Sequence, residues 1–183
     1  MRTNIIALLF FAAFAVNSYG QNLIKNSNFA KGVEDWSIFL VNGGAAPRMI
    51  EVSADYKKYG LADNQAGLHF AELDAQSAIQ QTISSQEGKD YLLGFGFATR
   101  PNAGDKQLIV EVNGKVVFTQ TFKNSAEAGR FTHKHFSFTA DAATSKIAFY
   151  IVSLSGKDDE GVLVSDILCN LESEVDLKLF YTY

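Results

Sequence analysis

From Trp36 to Leu171 the chain is a succession of short runs rich in Val, Ile, Phe, Tyr and Thr, parted by clusters of Gly, Asn, Asp and Ser. The runs cover residues 36–41, 68–73, 78–83, 91–98, 107–112, 115–122, 131–140, 146–152 and 162–171. β-Branched and aromatic residues suit a pleated, half-buried surface, and turn residues bound each run. No stretch sustains a helical period, and only YKKYGLADNQ (56–65) has room for a single helical turn. This repetition predicts an all-β fold, an antiparallel sandwich or barrel.

The run DYLLGFGFATR (90–100) sets the faces. Side chains alternate along a strand, so Tyr91, Leu93, Phe95 and Phe97 share one side and Leu92, Gly94, Gly96 and Ala98 the other. The heavy set predicts the core face, which turns the two glycines outward. Glycine weakens a strand and is kept where something approaches the backbone closely. By the same alternation Phe136, Phe138, Ile147, Phe149 and Ile151 point in, while His133, His135, Ala148, Tyr150 and Val152 point out. Asn113-Gly114 between two apolar runs predicts a two-residue hairpin turn. Its register would pair Glu111 with Val116 and Ile109 with Phe118 on one face, leaving an apolar pair exposed.

The first twenty residues carry one charge, Arg2, then an apolar run from Ile5 to Val16, then Ser18-Tyr19-Gly20. That order predicts a secretory signal peptide cut after Gly20, and the apolar run is well short of the ~20 residues a membrane helix needs. Residues 21–183 are then expected as one secreted β-sandwich domain. Without the leader the chain has fifteen basic and twenty acidic residues, scattered, which argues against a nucleic-acid partner and a polybasic membrane anchor. Cys169 is the only cysteine, so no internal disulfide forms; it shares parity with Leu163, Ile167 and Leu171 and reads as a buried, inert thiol.

With the faces assigned, longer stretches resemble a known family. NLIKNSNFAKGVEDWSIF (22–39) is similar to the opening of the jelly-roll carbohydrate-binding modules of the galactose-binding-like superfamily. HFAELDAQSAIQQTISSQEGKDYLLGFGFATRP (69–101), FTHKHFSFTADAATSKIAFYI (131–151) and GVLVSDILCNL (161–171) resemble its middle and closing strands. The resemblance implies a jelly-roll of two antiparallel sheets, with sugars bound on a sheet face or at the loops of one edge. It also implies a structural calcium near the chain ends, held by an acid after the opening Phe and an acid in the last strand. Here Ala30 follows Phe29, and Ser165 stands where the second acid aligns, with Asp166 after it. The two carboxylates of that pattern are not both in place, and no cofactor is expected.

Chemistry-bearing residues are sparse. His133 and His135 leave one strand face together and would need His69 or an acid to complete a zinc site; otherwise they are two exposed polar residues. SGKDDEG (155–161) gathers acids in a loop, without the alternating oxygen ligands of a calcium loop. Motifs of serine hydrolases, zincins and phosphate loops are absent from the sequence, so no enzyme is expected. A glycosidase pair need only meet in space, and Glu72 with Asp74, or Glu111, would be its members. Trp36 is read as a core residue. Tyr150 is the more suggestive aromatic, since it points outward on a strand apolar on both faces. Placed beside the glycine strand, it would overlook Gly94 and Gly96, flanked by Arg100 and Glu111, with Ile109 as floor. An aromatic platform with a few orienting polar groups is what a sugar site requires.

These residues support a secreted, non-catalytic module that binds a polysaccharide or glycan by stacking and hydrogen bonds. The alternative is a structural or adhesive protein using the same face for a protein partner, motivated by the Ile109–Phe118 pair and the apolar segment 177–183. Two readings of the bare glycine strip stand side by side. It is open to a ligand, or a loop or the segment DLKLFYTY (176–183) packs over it.

Overall fold

Ten strands form where the short runs lie: β1 (Ser37–Leu40), β2 (Glu51–Ser53), β3 (Phe70–Leu73), β4 (Ser77–Ser84), β5 (Asp90–Thr99), β6 (Lys106–Val112), β7 (Lys115–Phe122), β8 (Thr132–Thr139), β9 (Thr144–Ser153) and β10 (Val162–Leu171). The computed structural model describes residues 21–41, 50–75, 77–123, 128–155 and 160–175. The expected leader (1–20), the segment 176–183 and most of the acidic loop (156–159) lie outside the described residues. The three-residue β2 is too short to show alternation in sequence and was not expected. The single turn anticipated in 56–65 is a 3₁₀ turn at Asp63–Gln65.

The strands make two five-stranded antiparallel sheets, ordered β1-β4-β9-β6-β7 and β2-β3-β10-β5-β8. They pack face to face as a jelly-roll sandwich. The first sheet sends Ile79, Leu108, Val110, Ile147, Phe149 and Ile151 inward; the second sends Leu93, Phe95, Phe97, Val162, Val164 and Cys169, all of them buried. Phe95 sits at the centre, 5.2 Å from Phe149 and 5.3 Å from Phe118, in edge-to-face contacts that join the two sheets. Full burial of one such side chain is worth roughly 2–3 kcal/mol. Trp36 closes one end of this core, stacked on Phe29 at 5.4 Å, with its indole N–H donating to the Asn26 carbonyl. The core placement expected for Trp36 holds, as does the burial of Cys169.

One register differs from expectation. The hairpin at Asn113-Gly114 pairs Val112 with Lys115 and Glu111 with Val116 as anticipated, but Val110 then pairs with Phe118 and Ile109 with Thr119. A bulge takes up Val117. One extra residue in a strand flips every side chain beyond it. Phe118 therefore turns inward and stacks parallel to Phe136, with ring centroids 6.0 Å apart. The exposed Ile109–Phe118 pair does not exist, which removes one of the two sequence features behind the adhesive reading; the other, the segment 177–183, lies outside the described residues.

A second topological fact matters more. β9 pairs with β4 and β6, whereas β5 pairs with β8 and β10. Tyr150 and the glycine strand thus belong to different sheets, and their outward faces look to opposite sides of the sandwich.

Candidate functional site

The five residues expected to share one platform divide between two surfaces. Tyr150 and Glu111 lie on the outer face of the first sheet. Gly94 and Gly96 lie on the outer face of the second, with Arg100 just past the end of β5.

On the first sheet, Cα register places Phe39, Ala78, Tyr150, Ile109 and Thr119 in one row across all five strands. The next row is Ser37, Gln80, Ala148, Glu111 and Val116. Ile79, Phe149, Leu108 and Val110 occupy the core side, so alternation turns both rows to the outside. The Tyr150 hydroxyl donates to Glu111 Oε1 at 2.6 Å. Burial, then this hydrogen bond, pushes the phenol up to about 12, so it stays a protonated donor through the physiological range. The bond fixes the ring, and the second oxygen of Glu111 can still accept. Small side chains at Ala78, beside Tyr150 on β4, and Ala148, two residues before it on β9, keep the sheet low there, and Phe39 stands two strands away, about 10 Å by strand spacing. Phe39 and Gln80 were missed in sequence. The alternation of Trp36 and Ile38 inward against Ser37 and Phe39 outward would have found Phe39.

Arg100 serves a different purpose. Its Nη1 lies 3.2 Å from Glu72 Oε1, and its guanidinium sits 5.0 Å over the Tyr59 ring. Glu72 is 2% exposed and also accepts the Gly161 N–H at 3.0 Å. Tyr59 in turn donates to Glu51, which holds the Glu51 carboxyl below its usual range with help from Lys58. These contacts fasten the segment between β2 and β3 onto the sheet. Glu72 and Glu111, considered as a glycosidase pair, point out of opposite sheets and do not meet.

The glycine strip is covered at one end. Tyr59, Leu61, Phe70, Ala98 and Leu163 form a second small core on the outer face, with Tyr56 and Phe131 against it. Gly94 and Gly96 are both buried. A Cβ at Gly96 would stand 2.9 Å from His133 Nε2 and 3.3 Å from Phe131. Gly96 is covered by His133 of the neighbouring strand and by Phe131 just before it; the segment 176–183 expected as a cover lies outside the described residues. His133 reaches across Gly96 from β8 toward Asp166 of β10, with Nε2 and Oδ2 4.0 Å apart. Asp166 occupies a bulge between Ser165 and Leu168, with φ +50. An ion pair this exposed contributes at most about 1 kcal/mol, while a non-glycine residue at positive φ alone costs about that much. The bulge docks the opening segment: the Ile167 N–H donates to the Ser27 carbonyl at 3.0 Å and the Ile167 carbonyl accepts from Asn22 at 3.1 Å.

The implied calcium pattern does not fit. The opening segment is tied to β10 by the Asn22 carboxamide, which accepts the Cys169 N–H at 2.9 Å and donates to the Ile167 carbonyl at 3.1 Å. Ser165 Oγ donates to the His69 carbonyl, and Asp166 faces His133 instead. Among the described residues no three His, Cys, Asp or Glu side chains gather as a metal cluster, and no helix is long and apolar enough to cross a membrane.

The same fold occurs in several solved structures. The carbohydrate-binding module TmCBM61, solved with β-1,4-galactotriose, is 15% identical with a TM-score of 0.55, over 83% of this chain and 99% of that one. The Stig cyclase Fisc from Fischerella sp. TAU is 13% identical with a TM-score of 0.55, over 81% of this chain and 95% of that one. The enzymatically active domain of tailspike protein 4 from bacteriophage CBA120 is 15% identical with a TM-score of 0.54, over 82% of this chain. This chain spans only 21% of that tailspike domain. Identities this low establish the jelly-roll fold and leave function to the site. No curated protein matches the chain. A family profile does, over residues 22–163, and by that match the chain belongs to the family described as "Protein of unknown function (DUF642)".

Proposed function

We propose that this protein is a secreted, non-catalytic glycan-binding module that holds its ligand on the outer face of the first sheet. The observation that carries the reading is Tyr150, a half-buried ring fixed by Glu111 at 2.6 Å and bordered by Ala78 and Ile109. A pyranose presents an apolar face that stacks on such a ring, and its hydroxyls pair with amides and carboxylates. Gln80 and Glu111 flank the ring in the adjacent row and Thr119 ends its own, so polar partners lie on both sides. Arg100, Gly94 and Gly96 have no part in this surface, because they lie on the other sheet.

The non-catalytic reading rests on the same rows. Glu111 is the only carboxylate in the two rows around Tyr150, and glycoside hydrolysis ordinarily takes two facing each other. Fold likeness agrees with binding through the galactotriose-bound module, and the cyclase, 95% of which the likeness spans, has the same fold in an enzyme. Secretion rests on the leader pattern of residues 1–20.

Affinity electrophoresis of the purified protein through gels containing neutral and acidic polysaccharides tests the reading. Retardation by at least one polysaccharide, lost in Tyr150→Ala and kept in Arg100→Lys, is the expected result. Free migration in every gel, or retardation indifferent to Tyr150, overturns it.

A further inference from the structure

We infer that the platform around Tyr150 selects neutral glycans, with Glu111 as the residue that turns uronic-acid polymers away; the inference rests on the glycan-binding reading and narrows it to one chemical class. Among the described residues of the row that holds Tyr150 and of the rows on either side, Glu111 is the one charged side chain. Its own row adds Ser37 and Gln80, and the row beyond Tyr150 adds Gln107 and Thr121. Hydroxyls and amides both donate and accept, so they pair with sugar hydroxyls in either sense. Among the described residues, the next basic side chain along this face is the exposed Lys146, opposite Thr82 and roughly 13 Å from Tyr150 along β9. Arg100 lies on the other sheet and is engaged by Glu72.

The hydrogen bonding of Glu111 makes the choice. Its Oε1 accepts the Tyr150 hydroxyl at 2.6 Å, which leaves the second oxygen to accept one more hydrogen bond beside the ring. An ionised carboxylate only accepts, so its partner must be a donor, and a neutral sugar carries hydroxyls around its ring. In a uronic-acid polymer every sugar bears a carboxylate, so a chain lying across the rows brings one near Glu111 whichever sugar stacks on Tyr150. Two acceptor-only groups of like charge then meet where the ligand has displaced water, losing a hydrogen bond and gaining repulsion. Polyanion recognition takes guanidinium or ammonium groups, and the described residues of these three rows include none. The net charge of −4 acts in the same sense at longer range. An acceptor that reads a hydroxyl and repels a carboxylate favours one ligand class and disfavours the other at a single residue.

Affinity electrophoresis through galactan, xyloglucan and mixed-linkage glucan tests the selection, each polymer run beside the same polymer with its primary hydroxyls oxidised to carboxylates. A polymer that retards the wild type should lose ~10-fold or more in affinity once oxidised. Glu111→Gln keeps an acceptor for the Tyr150 hydroxyl and removes the charge, so it should narrow that ratio by roughly 5-fold. Asp63→Asn removes one charge from the segment between β2 and β3 and should leave the ratio unchanged. Oxidised polymers held by the wild type as tightly as neutral ones overturn the selection. A ratio that Glu111→Gln does not move, or that Asp63→Asn moves equally, overturns the role given to Glu111. Free migration in every gel overturns the glycan-binding reading itself, and the selection with it.

Discussion

Arg100 holds the buried carboxylate of Glu72, with Nη1 3.2 and 3.4 Å from its two oxygens, and caps the Tyr59 ring at the same time. A guanidinium at the end of a strand beside a suspected platform reads in sequence as a ligand contact. Its partner's burial makes it structural. Removing one member of a buried pair leaves the other charge without compensation and costs roughly 3 kcal/mol or more. Arg100→Ala should therefore lower the urea midpoint markedly and leave glycan retardation of the remaining folded protein unchanged. Loss of retardation without loss of stability would return Arg100 to the binding surface.

Tyr150 should behave in the opposite way. Truncating a stacked aromatic at the centre of a contact costs roughly 2 kcal/mol of binding, about 30-fold in affinity. Tyr150→Phe keeps the ring and loses one hydrogen bond, worth about 1 kcal/mol, so its loss should be smaller. As Tyr150 lies on the outer face, neither change should shift stability by much more than ~1 kcal/mol. Equal losses from the Ala and Phe variants would mean that the hydroxyl, not the ring, carries recognition.

Phe118 tests the bulge. Were the hairpin register regular, Phe118 would face solvent and Phe118→Ala would be nearly neutral. With Val117 taken up in the bulge, the ring packs on Phe95 at 5.3 Å and on Phe136 at 6.0 Å. Truncating a ring in such a cluster costs about 3 kcal/mol. Chemical denaturation of Phe118→Ala against Val116→Ala, whose side chain is 58% exposed, separates the two registers.

Much of the fold was legible because alternation is a local signal. Tyr91, Leu93, Phe95 and Phe97 declared the core face of β5, and nine of the ten strands fall on predicted runs. The platform was not legible as a whole because neighbour relations between strands are non-local. Tyr150 and Gly96 each point outward as expected, but nothing in either run states that one strand joins β4 and β6 while the other joins β8 and β10. The bulge at Val117 escaped for a related reason. Asn113-Gly114 fixes the register only near the turn, and the inward pull on Phe118 comes from Phe95 and Phe136, distant in sequence. The His133–Asp166 approach depends on strands β8, β5 and β10 lying side by side, which sequence spacing alone does not reveal.

Cys169 and the two hydrogen-bonded tyrosines predict how stability responds to alkali. Burial raises the Cys169 thiol to about 12; burial and Glu111 raise Tyr150 to about 12, and burial and Glu51 raise Tyr59 further. The folded state therefore holds these protons more tightly than the unfolded chain does. Their contribution is fully present below the unfolded values, about 8.5 for Cys and about 10 for Tyr, and is lost as pH climbs through the raised folded values. The urea midpoint should be level up to about pH 8 and fall progressively above it, first from the thiol and then from the phenols. Cys169→Ala should delay the onset toward the tyrosine range. In the folded protein at about pH 8 the protonated, fully buried thiol should resist a thiol-reactive dye until denaturant is added. Rapid labelling of folded protein, or a midpoint that rises with alkali, would contradict the burial on which both expectations stand.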